Sequence, residues 1–457
     1  MDTKRLDMMA QGNMTKTLLI LCLPPVLAMT INGIYNIVDT FFVGMLDITE
    51  ALGALAVIFP VFILLSALGI GIEIGAGSFI SRSLGERNLE KAQKALSTTL
   101  ILSISAGFLL GITGILFIEP LLRFIGATDV VLPYAKAYST WFLASSPFLI
   151  ANIGMAGTIR AEGNSIFPTI ALTAGAVLNI ALDPLFIFVF KMGIRGAAIA
   201  TSLSIFTTFI IQISYYLSKK SLLRITLRLS SFDFSNIKYI LKIGIPVMLK
   251  QLLVALFFTI MNMLLVPYGE TVLVGMGIVA KISLFVMMLL MGFSQGLLPV
   301  VSFNIGAGNY KRIMSAIVRA FFIESIFTFL WIAVCLFFGK EIIGIFSKDP
   351  AVLQSGNIIL IATAMSTLPE SIQGLIETIF FSAGKVKAAF IMSISRQGLI
   401  FWLVAYIAFK YLGLNGIIWS AAAANIFSCI FISVPLYVSI IRKIKDSMMD
   451  LKSQSFA

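Results

Sequence analysis

The segment GIGIEIGAGSFISRSLGERN, residues 69–88, decides how the chain is built. Its Gly71, Gly75, Ser81 and Gly85 recur as Gly292, Gly296, Ser302 and Gly306, each 221 residues later. Pro25 with Pro246 and Gly163 with Gly384 keep the same spacing, and MGIRGAAIATS (192–202) aligns with LGLNGIIWSAA (412–422) at nearly that offset. Self-similarity at one fixed spacing marks a duplicated unit.

The duplicated unit is made for lipid. Of 457 residues, 59% are hydrophobic and 12% charged, and the mean hydropathy is +1.01, outside the range of soluble domains. A helical span needs about 20 mostly apolar residues. Twelve such runs are predicted, at roughly 16–43, 51–78, 93–118, 133–158, 167–190, 194–217, 238–264, 272–300, 313–338, 354–381, 388–410 and 415–441. The expected fold is an all-α polytopic membrane protein, with twelve transmembrane helices in two pseudo-symmetric six-helix bundles. Its lobes are 1–217 and 238–457, joined by a linker at 218–237. The first apolar run has no small-residue cleavage site and reads as a retained span, not a signal peptide.

The net charge of +12 does not point to nucleic acid. Alternate loops, beginning with the amino-terminal tail, carry about 22 Lys and Arg against about 6 on the other side, which predicts both termini in the cytoplasm. Cys22, Cys335 and Cys429 fall in separate spans without ligand spacing, so they read as packing residues.

Polar residues within the spans are few and costly, and an intramembrane acid is by default functional. VLNIALDPLFIF (177–188) carries Asn179 and Asp183 one helical turn apart, on one face. At 1.5 Å per residue, Asp39 lies about 6 Å from the outer end of span one, Tyr138 about 8 Å into span four, Asp183 and Thr201 about 10 Å deep, and Asn179 about 16 Å. Shared depth in one lobe groups them. Pro184 cannot donate to the carbonyl of Ile180, which frees another oxygen nearby. Such oxygens suit a cation such as Na+ or a shared proton. The chain has no histidine, so a proton relay must use carboxylates. In the second half the counterparts of Asp39, Asn179 and Asp183 are apolar: Ile260, Leu399 or Ile400, and Leu403 or Val404. The carboxylates are therefore not part of the shared scaffold.

Other intramembrane charges carry blander expectations. Glu73 reads equally as a second site or as an interfacial acid paired with Arg82. Glu324, Glu370 and Glu377 are expected in structural pairs with Lys250, Lys281, Arg319 or Arg396. Met287, Met288 and Met291 fit apolar filling better than an adaptable pocket. Pro24 and Pro25 interrupt helix bonding in span one, which predicts a kink and a hinge.

Taken together, VDTFFVG (38–44), SFISRSLGERN (78–88), RAEGN (160–164), NIALDPLFIF (179–188) and GIRGAAIATS (193–202) resemble the multidrug and toxic compound extrusion (MATE) family, in its DinF-like prokaryotic branch. The resemblance covers essentially the whole chain. It implies a secondary antiporter exporting organic, often cationic and aromatic compounds in exchange for Na+ or H+, with drug resistance as its physiological setting. It implies a cation site of Asp39, Asn179, Asp183 and Thr201, supported by Tyr138 and Asn152. Other branches place an acid on span seven, where PVMLKQLLV (246–254) here carries Lys250 and Gln251. A lipid-linked oligosaccharide flippase is the nearest alternative. An intramembrane aspartyl protease is a remote one, since Asp183 lacks the Gly-x-Gly-Asp context, and a channel would want a charge ring or backbone filter. The reading is therefore a carrier, not an enzyme. It needs no cofactor beyond the coupling ion, and is expected as a monomer in a prokaryotic plasma membrane.

Overall fold

The computed structural model describes residues 4–46, 48–218, 220–226 and 234–454. Among them there is no strand. A short α1 (Lys4–Gln11) precedes α2 (Met14–Gly44), α3 (Thr49–Gly85) and α4 (Leu89–Leu116). Then come α5 (Ile118–Ile125), α6 (Leu132–Ala144), α7 (Ser146–Ala161), α8 (Ile166–Pro184) and α9 (Ile194–Leu217). The second half holds α10 (Phe234–Leu265), α11 (Glu270–Gly306), α12 (Tyr310–Gly344), α13 (Pro350–Ser382), α14 (Val386–Ile394), α15 (Ile400–Ser428) and α16 (Val434–Gln454). Among the described residues, ten helices are long and apolar enough to cross a membrane, and eleven if the bent pair α6 and α7 is one span. Helix is what lipid demands, because every backbone amide must find its partner within the segment.

Both repeats start their third span alike. Asn88 accepts from the Lys91 amide at 2.9 Å and Asn309 from the Arg312 amide at 3.3 Å, each satisfying an orphan donor of its helix. Span four was expected as one helix. It bends by 50° between Ala144 and Ser146, where Pro147 removes a donor and Ser146 Oγ lies 2.7 Å from the Leu143 carbonyl and 2.8 Å from that of Gly107. Spans eleven and twelve meet inside α15, where Gly413 (φ 57°, ψ −137°) breaks the helix. Gly193, which precedes α9, has nearly the same conformation (φ 56°, ψ −140°). A left-handed backbone is open to glycine without steric cost, so the two repeats turn on equivalent residues. The predicted kink at Pro24 and Pro25 is not accompanied by a break, for α2 continues through both.

The recurring glycines of the sequence form the contact between lobes. A Cβ on Gly71 would lie 2.8 Å from the Gly244 carbonyl and one on Gly75 2.5 Å from that of Ile240, so α3 packs backbone to backbone on α10. A Cβ on Gly292 would lie 2.7 Å from Val26 Cα, and one on Gly296 would strike Leu21 and Cys22, so α11 meets α2 in the same way. Gly85 abuts the Phe303 carbonyl while Gly306 abuts that of Arg82. Small residues allow this close approach. The lobes are thereby closed at the end that carries α1, where Ser78 also donates to the Phe381 carbonyl at 2.8 Å and Arg82 bonds Tyr239.

The first helix holds both lobes at this end. Arg5 donates to the Tyr215 hydroxyl at 3.1 Å, while Arg312 donates to the Met9 and Gly12 carbonyls at 3.1 and 3.0 Å. Asn304 adds a bond to Met9 at 3.2 Å. Of the predicted linker, residues 219 and 227–233 lie outside the described residues. Its start is fastened to the first lobe by Glu162, which accepts from the Leu222 amide at 2.8 Å, Ser221 Oγ at 2.9 Å and the Tyr215 hydroxyl at 3.2 Å.

Candidate cation site and central cavity

Asp39 on α2, Asn179 and Asp183 on α8 and Thr201 on α9 are all buried, from 0% exposed at Asp183 to 9% at Asp39. Asn179 Nδ2 lies 3.4 Å from Asp183 Oδ1 and 3.3 Å from Thr201 Oγ1. The Asp39 and Asp183 carboxyls are within hydrogen-bonding reach of each other. Tyr138, from α6, is buried beside Asp39 and Thr201. Directly after Asp183, Pro184 ends the α-helix and residues Leu185–Val189 form a π-helical turn, the adjustment expected when a proline removes a ladder bond.

Asn152 is placed otherwise. Its amide donates to the Ile205 carbonyl at 2.8 Å, and no hydrogen bond joins it to the cluster among the described residues. Gln373, its repeat counterpart, makes the equivalent bond to Asn425 at 3.2 Å. The bond therefore belongs to the shared packing of both lobes. Tyr35, which the sequence reading missed, stands one turn before Asp39 and near both carboxyls. Its i, i+4 spacing from Asp39 was the available signal.

Three acceptor oxygens of the cluster, Asp39 Oδ1, Asn179 Oδ1 and Asp183 Oδ2, are buried without a partner among the described residues. Orphan buried oxygens are rare and call for an explanation. A set of carboxylate, amide and hydroxyl oxygens fits a hard monovalent cation, and two adjacent carboxyls equally fit a shared proton.

A second polar region lies between the lobes. A cavity of about 1010 Å³, its mouth included, is lined from α3, α10, α11, α12 and α13. A neighbouring space of about 1000 Å³ within the second lobe shares with it the wall residues Val254, Met287, Leu290, Glu370 and Arg396. Met287 and Met291 line the cavity, so two of the three methionines expected as filling face open space, whereas Met288 packs against Gly33. Of the acids around it, Glu370 and Glu377 pair as expected, whereas Glu73 and Glu324 do not. Glu73 pairs with Arg160 rather than Arg82, because Arg82 is engaged by Tyr239 and Ser78. Lys250 pairs with Glu377, and Arg396 with Glu370 at 3.4 Å. Glu324 has neither an ion-pair nor a hydrogen-bond partner for its carboxylate among the described residues.

Two copies of the MatE family profile match the chain, over residues 24–185 and 246–407. The chain belongs to the MatE family of membrane transporters. Its two matched segments coincide with the two repeats. Among similar proteins is the multidrug export protein MepA of Staphylococcus aureus (strain N315), 29% identical over 412 residues, 90% of each chain. A solved MOP superfamily transporter from Pyrococcus furiosus, described as having a binding pocket of reverse polarity, superposes with a TM-score of 0.90 at 26% identity, over 96% of this chain and 98% of that one. A multidrug resistance MATE family transporter in an outward-facing conformation gives 0.89 at 26% identity, with the same coverage. This MatE protein is thus a multi-pass, two-repeat membrane transporter.

Proposed function

We propose that this MatE protein is a multidrug efflux antiporter, exporting organic compounds in exchange for Na+ or H+. The observation that carries the reading is the trio of orphan oxygens on Asp39, Asn179 and Asp183, in one lobe only, in a chain whose separate central cavity is walled by α3 of the first lobe and α10 to α13 of the second. The moving bodies are the lobes 1–217 and 238–457, with both termini in the cytoplasm of a prokaryotic cell. The protein acts as a monomer.

In this scheme the lobes exchange closure at one end for closure at the other, around a fixed midplane site. Asp39 and Asp183 take up the coupling cation or proton from outside, with Asn179 and Thr201 holding the carboxyls in register and Tyr138 limiting water. Loading changes the packing of α2 against α8. Since α2 also meets α11 at Gly292 and Gly296, that change reaches the lobe interface, with Pro24 and Pro25 as the proposed hinge. Exchange follows because substrate and cation favour different arrangements. No covalent step is needed.

Supporting export over lipid-linked sugar flipping is the pairing of Lys250 with Glu377 and of Arg396 with Glu370. A cavity for a pyrophosphate headgroup needs cations that are not already neutralised by carboxylates.

The test is efflux of ethidium from proteoliposomes under a Na+ gradient or a pH gradient, for wild type and Asp183→Asn. Wild-type efflux under one gradient, lost in the variant, sustains the reading and names the coupling ion. Efflux under neither gradient, or a variant equal to wild type, overturns it.

A further inference from the structure

We infer that Glu324 selects a lipophilic organic monocation within the central cavity, a role that rests on the export reading above and gives it a recognition residue. Glu324 lies on α12, 14 residues beyond Tyr310, which places it about 21 Å along the helix, near mid-membrane. It is 4% exposed and lines the cavity.

The charge inventory singles it out. Glu73, Glu370 and Glu377 also line the cavity, and each has its cation: Arg160, Arg396 and Lys250. Once those pairs are set aside, Glu324 is the one uncompensated charge among the described lining residues. A buried carboxylate held only for packing would be paired or hydrogen-bonded. A second unsatisfied acceptor, Gln295 Oε1, is buried in the wall of the same cavity.

The repeat supplies a control. At the 221-residue spacing Glu324 falls opposite Ser103, and the register is secure there because the helix caps Asn88 and Asn309 match at the same spacing. The scaffold therefore does not require an acid at this position. Most of the remaining surface is apolar and adaptable, Met287, Met291, Leu290, Leu298 and Phe381 among it, and its polar residues, Gln251, Ser294, Gln295, Ser371 and Thr378, are uncharged. Methionine-rich walls accommodate varied shapes, so charge is left to do the selecting. One negative charge accepts one positive charge, and a second cationic group would enter unpaired at high cost. N–H groups on the ligand would satisfy the Gln295 oxygen.

The experiment measures binding of three dyes to the purified full chain by fluorescence polarisation. Ethidium is a monocation with aromatic amines, propidium a dication on the same ring system, and Nile red neutral. Wild type is expected to bind ethidium more tightly than propidium. Glu324→Gln should weaken ethidium about tenfold or more, as removal of a buried charge partner does, while leaving Nile red unchanged. Glu324→Asp, which keeps the charge, should retain ethidium. Undiminished ethidium binding by Glu324→Gln, or equal loss of ethidium and Nile red, overturns the inference and leaves the export reading standing. A wild type that binds none of the dyes defeats the export reading and the inference with it.

Discussion

Asn179 bridges two helices through one nitrogen, which lies 3.4 Å from Asp183 on its own helix and 3.3 Å from Thr201 on the next. Its other polar atom, Oδ1, is buried with no partner among the described residues. The amide thus fixes the spacing of α8 and α9 and still offers an oxygen to a ligand.

Thr201→Val removes the acceptor and leaves the Asn179 nitrogen short of a partner. A loss of about 1–3 kcal/mol is expected, together with loss of the thermal stabilisation that the coupling cation confers. Thr201→Ser keeps the hydroxyl and should behave as wild type. Thermal unfolding with and without Na+ reads both effects, and a valine variant with an unchanged cation-induced shift would remove Thr201 from the site.

Glu377 is buried and pairs with the half-buried Lys250, with Ser393 donating to the same carboxylate at 2.7 Å. Lys250→Met strands a buried acid and is expected to cost about 3–5 kcal/mol, whereas the double variant Lys250→Met, Glu377→Leu should recover most of it. Urea or thermal unfolding of the four members of the cycle measures the coupling. Equal stability of the single variant and wild type would show that the pair contributes nothing.

Gly75→Ala and Gly296→Ala should each obstruct closure at the α1 end, because the added methyl meets backbone across the lobe interface. Cysteine-labelling rates at that end are expected to rise, with transport falling in parallel. Gly374→Ala is the control, since a Cβ there meets nothing within 4 Å. Labelling of the Gly75 and Gly296 variants at the control rate would contradict the packing argument.

Burial pushes the Glu162 carboxyl up to about 7 from its ordinary 4.5, against the lowering effect of the Leu222 amide, Ser221, Tyr215 and Arg5. Being outside the spans, it should titrate with the bulk solution. The fold prefers the protonated acid, so its contribution is complete below about 4.5 and fades as pH rises through about 7. Stability should therefore fall across that window, and Glu162→Gln should flatten the fall. Melting temperatures from pH 4 to 8 would show it; identical pH profiles for both chains would exclude Glu162 as the cause.

The spans were legible because lipid imposes one pattern, apolar and about 20 residues long, and the duplication because glycines at a helix interface tolerate no replacement. Asn179 and Asp183 declared themselves by helical spacing in an apolar run. What stayed hidden depended on side-chain reach between helices distant in sequence. The partner of Glu73 was expected to be Arg82, nine residues on, and is Arg160 on another helix. Asn152, joined to the cluster by resemblance alone, bonds Ile205. Glu324 looked like any other acid among second-lobe cations until its neighbours were seen to be taken. The short α5 and the bend in span four depend on local cap and proline geometry that hydropathy averages away.

The contacts Gly85 to Phe303 and Gly306 to Arg82 are one contact made twice, since both members of each pair are shifted by the same 221 residues. An interface in which residue i meets j and j meets i is the kind that two identical subunits form about a twofold axis. A single six-helix ancestor would already have owned both faces and assembled as a homodimer before its gene doubled. Fusion then freed each copy to diverge, so that one could keep an acid where the other kept an isoleucine.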